Sequence, residues 1–217
     1  MALRTAIVIA AAGTLALPAF ADDFAPPDYR GAPRSVMVEW EFLTKPASVD
    51  IFPDTFNAVG GGGSMLFMGF QTKAELDSTG SWMWTPGDGD GGLTPSIPGQ
   101  GATIAFKIQN WIDIEPEKLL RIQITSQGDL RPIVLGTTGF IGDKQVEGEF
   151  VGGKLVDDMR FFEDWIIVPN PWWELVEVAV PFGTTLDQVV IDTVSIPSPG
   201  AFALLGVAGV VGLRRRR

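Results

Sequence analysis

Hydrophobic and polar residues alternate strictly in several short stretches of this chain. In SVMVEWEF, Val36, Val38, Trp40 and Phe42 occupy one side, and Glu39 and Glu41 occupy the other. In an extended backbone successive side chains point to opposite faces, so this alternation predicts a half-buried strand. The pattern returns in TIAFKIQ (Ile104, Phe106, Ile108) and in LLRIQIT (Leu120, Ile122, Ile124). In WELVEVAV, Glu174, Val176, Val178 and Val180 oppose Trp173, Leu175, Glu177 and Ala179. In DQVVIDTVSI, Val189, Ile191 and Thr193 oppose Asp187 and Asp192. SMLFMGF, RPIVLG, VEGEFVGG and RFFEDWIIV are further strand candidates with looser alternation.

Between the two ends, a helical period is not sustained; only EPEKLL suggests a short turn of helix. Glycine and proline break the chain at short intervals, as in residues 60–63 (GGGG), 86–92 (PGDGDGG), 96–101 (SIPGQG) and 169–171 (PNP). Short strands separated by turn signals predict an all-β fold, an antiparallel β-sandwich of jelly-roll type. The expected organisation is a signal peptide over residues 1–21 and a proline-rich extended leader over 22–34. One β domain follows over 35–196, and a separate segment over 197–217.

The N-terminal segment has Arg4, then an uncharged run over residues 5–17, then Pro18 and the small-residue motif at Ala19 and Ala21. That order is a secretory signal peptide, with signal peptidase expected to cut before Asp22. At the other end, residues 201–213 are uncharged and Arg214, Arg215, Arg216 and Arg217 follow. As a helix this run covers about 20 Å, short of the bilayer's apolar core of about 30 Å. The four arginines would stop transfer and stay on the cytoplasmic side. An ordinary single-pass anchor and a transient sorting segment are both open readings.

A proline motif at Pro197, Ser198 and Pro199, an apolar helix and a terminal arginine cluster together resemble the PEP-CTERM sorting signal. The family motif is Pro-Glu-Pro, and Ser198 stands here in the glutamate's place. The resemblance covers residues 196–217, and PFGTTLDQVVIDTVSIP loosely resembles the last strand that feeds into such a signal. It implies export in a Gram-negative bacterium that makes exopolysaccharide. It also implies a transient stay in the inner membrane and processing by an exosortase near the prolines. The implied destination is the cell envelope or extracellular space.

Composition narrows the chemistry. The chain has neither Cys nor His, which excludes disulfides, thiol nucleophiles, His-based triads and His-ligated zinc. All 26 acidic residues lie between Asp22 and Asp192, where only 11 Lys and Arg balance them. Phosphate contact needs clustered cations, so nucleic acid is not an expected partner. No cofactor is expected. Calcium is the one candidate ion, on Asp88 and Asp90, although Gly92 breaks the EF-hand ligand pattern.

KLVDDMRFFEDW gathers Asp157, Asp158, Glu163 and Asp164, the residue type of a paired-carboxylate hydrolase, but sequence proximity is not the geometry such a pair needs. Seven tryptophans lie in the β region, and their flat apolar rings suit either a core or a sugar face. Trp82 and Trp84, on one side of a short strand beside the acidic glycine loop, are the first candidates for carbohydrate contact. Trp172 and Trp173 come next. The sequence therefore supports an exported, non-catalytic β domain meeting extracellular polysaccharide. A structural matrix protein without a small ligand and a carbohydrate-active hydrolase are the alternatives.

Overall fold

A computed structural model describes residues 23–60, 64–65, 71–86, 91–112 and 115–196. The signal-peptide positions Ala19 and Ala21, the Asp88 and Asp90 pair, Pro197, Ser198, Pro199 and Arg214 to Arg217 lie outside the described residues.

The strands in chain order begin with β1 (Ser35–Trp40), β2 (Asp50–Ile51), β3 (Thr55–Ala58), β4 (Ser64–Met65) and β5 (Lys73–Leu76). Next come β6 (Trp82–Pro86), β7 (Gly91–Pro95), β8 (Ala102–Gln109), β9 (Trp111–Ile112) and β10 (Glu117–Gln127). The last are β11 (Ile133–Ile141), β12 (Lys144–Glu147), β13 (Glu149–Leu155), β14 (Arg160–Ile167), β15 (Trp173–Val180) and β16 (Thr185–Ile196). The protein is all-β. A first sheet runs β13-β14-β10-β16-β1-β3, with β7 also paired to β16 and β6 to β7. A second sheet runs β12-β11-β15-β8-β5-β2, and β4 pairs with β9. The strand pairs of both sheets are antiparallel.

The inner faces are those the alternation predicts. Val36, Val38 and Trp40 lie beside Thr193, Ile191 and Val189 in the first sheet, and Ile122 lies opposite Ile191. From the second sheet, Ile104, Phe106, Ile108, Val176 and Val178 complete one apolar cluster. Trp40 and Phe106 meet edge to face across the gap, with ring centroids 4.8 Å apart. The Trp40 ring N–H reaches the Ile51 carbonyl on the opposite sheet at 3.2 Å.

Asp187 is the extra residue of a bulge, since Thr125 faces Gln188 while Ser126 faces Leu186. A bulge shifts the side-chain phase by one position. Leu186 thereby keeps the core face it shares with Val189 and Ile191.

Two sequence expectations change. EPEKLL gives no helical turn: β10 already begins at Glu117. Lys118 and Leu120 alternate in phase with Ile122 and Ile124, and pairing with β14 and β16 on both sides overrides the local preference. The polar side of β1 and β16 is not solvated either, because Glu39 and Asp192 are 2% and 1% exposed.

Residues 23–34 cause that second change by folding over the outer face of the first sheet. Arg30 forks onto Asp192 through Nε and Nη2, each at 2.6 Å, and also binds Asp23. Gln123 receives the Ala25 N–H at 2.8 Å and donates to Asp23 at 3.0 Å. Arg121 holds Asp164 through two bonds of 2.7 and 2.8 Å and donates to the Ala25 carbonyl at 3.2 Å. Buried polar groups require such partners, and the leader supplies them to a strand face that would otherwise meet water.

Candidate functional site

Trp82 and Trp84 share the side of β6 that faces Lys45, Pro46, Leu76 and Leu93, and the six line one pocket of about 60 Å³. Trp82 is buried, and its ring N–H donates to Asp77 Oδ1 at 2.8 Å. The Trp84 ring N–H donates to the Phe42 carbonyl at 2.8 Å. Two local features permit that bond. Phe42 sits in left-handed backbone at φ 52°, which turns its carbonyl toward the ring. Gly91 leaves the space open, because a Cβ there would lie 2.2 Å from the Phe42 oxygen and 2.5 Å from Trp84 Nε1. Both indole donors are thus used inside the fold. The pocket has room for a few waters and falls below the size class of a ligand cleft.

Trp172 and Trp173 lie at one corner of the second sheet. Trp173 stacks face to face on Phe140, its cross-strand neighbour, with centroids 3.7 Å apart and planes 1° from parallel. The Trp172 N–H donates to the Phe140 carbonyl at 2.8 Å, and its ring lies beside Gly142 in the β11–β12 turn. All three rings are half-buried. Thr138 shares the outer face with Trp173, and exposed Gln145 pairs with Phe140. Further along that face lies a charged cluster, in which Lys73 bridges Asp50 and Glu75 and Lys107 bridges Glu75. This corner offers flat apolar area with polar groups alongside, the composition of a sugar-facing surface.

The carboxylates of KLVDDMRFFEDW are engaged separately. Asp157 caps its own turn through the Met159 and Arg160 N–H groups and pairs with the Arg160 guanidinium at 2.6 Å. The Arg160 bonds hold its carboxyl below the usual range. Asp164 belongs to Arg121. Glu163 accepts the Trp165 ring N–H at 3.1 Å, and burial pushes its carboxyl up. Asp157, Asp158 and Asp187 line one open depression of about 470 Å³. Asp158 also borders a second, of about 720 Å³, with Asp129 and Arg131. Among the described residues no three acidic side chains gather as a metal site.

One cluster escaped the sequence reading. Lys118, Asn110 and Glu174 are each fully buried between the sheets. The Lys118 ammonium donates to Asn110 Oδ1 and to Ser195 Oγ, the latter at 2.9 Å. Glu174 Oε1 stands 4.0 Å from Lys118 Nζ. Burial pushes the Glu174 carboxyl up to about 7 against the downward pull of the Lys118 charge. The signal was present: Glu174 continues the inward row of Val176, Val178 and Val180, and Lys118 continues that of Leu120, Ile122 and Ile124. A charged residue in phase with a core stripe marks a buried charge.

No family model matches the chain, and no curated protein matches its sequence.

Proposed function

We propose that the chain is an exported cell-surface or extracellular-matrix protein of PEP-CTERM type. Its β domain is a jelly-roll sandwich without catalytic function that meets extracellular polysaccharide through surface aromatic side chains. The observation that carries this reading is the pairing of a secretory signal with the proline, apolar and arginine tail. The position of that tail adds support: β16 ends at Ile196 and the proline motif begins at the next residue. Support for the jelly roll comes from strand order, with β1-β16-β10-β14 in one sheet and β8-β15-β11-β12 in the other. Each sheet interleaves early and late strands, as two interlocked Greek keys do.

For the ligand surface, the Phe140, Trp172 and Trp173 corner is the stronger choice, and Trp84 at the rim of its small pocket is second. Trp82, locked to Asp77, serves the wall. Expressing the full chain with and without a cognate exosortase tests the tail. The mature mass should drop by the segment after the proline motif only when the enzyme is present, and a tail retained in both hosts makes it a permanent anchor. A polysaccharide array tests the surface. Trp173→Ala should weaken binding about tenfold, the equivalent of about 1.4 kcal/mol. Equal binding by wild type, Trp172→Ala, Trp173→Ala and Trp84→Ala would remove the carbohydrate assignment.

A further inference from the structure

Lys118, Asn110 and Glu174 form a polar cluster sealed inside an apolar core. A buried ion pair is tolerated when contact is close and every remaining lone pair finds a donor. Glu174 meets neither condition: it stays 4.0 Å from Nζ, and among the described residues neither carboxyl oxygen accepts a hydrogen bond. Asn110, in contrast, is fixed from every side. Its Oδ1 takes the Trp111 backbone N–H at 2.7 Å together with the Lys118 amine. Its Nδ2 donates to the Pro171 carbonyl at 2.9 Å and to Asn170 Oδ1 at 3.3 Å. An amine lies against a carboxamide whose oxygen is already polarised, with a carboxyl that accepts no hydrogen bond beside them.

We propose that Lys118 and Asn110 become covalently joined by an intramolecular isopeptide bond between Nζ and Cγ, with Glu174 moving the protons and ammonia as the leaving group. The first step transfers a proton from the Lys118 ammonium to the Glu174 carboxylate. Both groups become neutral, the state that a low-dielectric interior favours, and the raised affinity of Glu174 for a proton agrees with this. The Nζ lone pair then forms a bond to Cγ as the C=O electron pair moves onto Oδ1. The Trp111 N–H stands where that developing charge needs a donor. Collapse of the adduct restores the C=O and breaks the Cγ–Nδ2 bond. Glu174 delivers its proton to the departing nitrogen and takes one from Nζ. One ammonium, one carboxamide and one carboxylate become one secondary amide, one ammonia and one carboxylic acid. Atoms and charge balance, and no oxidant is involved.

Packing supplies what drives the step. Reactants held in contact react as one molecule, with a large gain over free solution. Exclusion of water also prevents hydrolysis of the carboxamide from competing. The bond would tie the start of β10 in one sheet to the residue that follows β8 in the other, beside Ser195. That is the end of β16 from which the proline motif follows. The inference stands on the cluster alone and is independent of the proposed sugar contact and of the sorting tail.

Mass spectrometry of the denatured, protease-digested full chain tests it. The wild type should lack one ammonia, about 17 Da, a covalent change no refolding reverses. Fragmentation should map that loss to a branched peptide containing Lys118 and Asn110. Lys118→Arg and Glu174→Gln should each restore the full mass. Wild-type peptides of full mass overturn the proposal. So does a loss that persists in Lys118→Arg, since it would then be a succinimide at Asn110. A loss that persists in Glu174→Gln overturns the role given to Glu174. The decisive reading uses the wild type, so it does not depend on any variant folding.

Discussion

Two buried carboxylates differ in how the fold treats them. Asp192 is surrounded by donors, with the Arg30 fork at 2.6 Å on each oxygen. Burial still raises its carboxyl, and Arg30 and Gln123 pull it down. Arg30→Met leaves that carboxylate buried and unforked, which should cost about 3–5 kcal/mol at neutral pH. The urea midpoint should fall accordingly and recover in Arg30→Met combined with Asp192→Asn. Glu174 lacks such donors. Its proton is held up to about 7 in the folded chain, against 4.5 as the ordinary value. Between those values the folded state binds more protons than the unfolded state, so stability declines as pH rises through this window. The decline amounts to roughly 3 kcal/mol. In Glu174→Gln the plot of urea midpoint against pH should flatten over the same range.

The strap of residues 23–34 and strand β16 explain each other. β16 is buried from Leu186 to Ser195 without alternation, because the core covers one face and the strap the other. Tyr29 takes part, with its hydroxyl on the Asp192 carbonyl at 3.3 Å, and burial raises it above its ordinary range. Deleting residues 24–33 strips Gln123 and Asp192 of their strap partners. Amide hydrogen exchange in β1, β10 and β16 should accelerate and the melting temperature fall. Unchanged exchange there would mean that the strap merely rests on the sheet. The proline-rich composition of this segment announced an extended path. Nothing in it announced the surface it would lie on, because its contacts are with residues up to 163 positions away.

The two sheets hold together through interdigitated apolar side chains, and Trp40 against Phe106 is the central crossing. Phe106→Ala would leave a void there that rigid neighbours cannot fill, at about 3–5 kcal/mol. Denaturant unfolding should remain a single transition, since both sheets share one core. The polar devices sit on opposite faces of the first sheet: the strap network covers its outer face, and the Lys118 cluster lies on its inner face, between the sheets.

Local order alone determined much of this protein. Strand phase depends only on which side chains prefer water, so Val36 to Phe42, Ile104 to Ile108 and Val176 to Val180 could be placed on the core side from their spacing. The proposed processing segments are likewise a reading of linear order, because a signal peptidase or an exosortase would act on extended sequence rather than on a folded surface. Pairing partners, the cover over β16 and the meeting of Lys118, Asn110 and Glu174 depend on contacts between distant positions. Alternation says which face a side chain takes; it carries no record of which strand or strap comes to lie against that face. Trp82 and Trp84 illustrate the division: their shared side of β6 was legible, while the bonds to Asp77 and Phe42 that commit their ring donors to the fold arose only when the chain closed on itself.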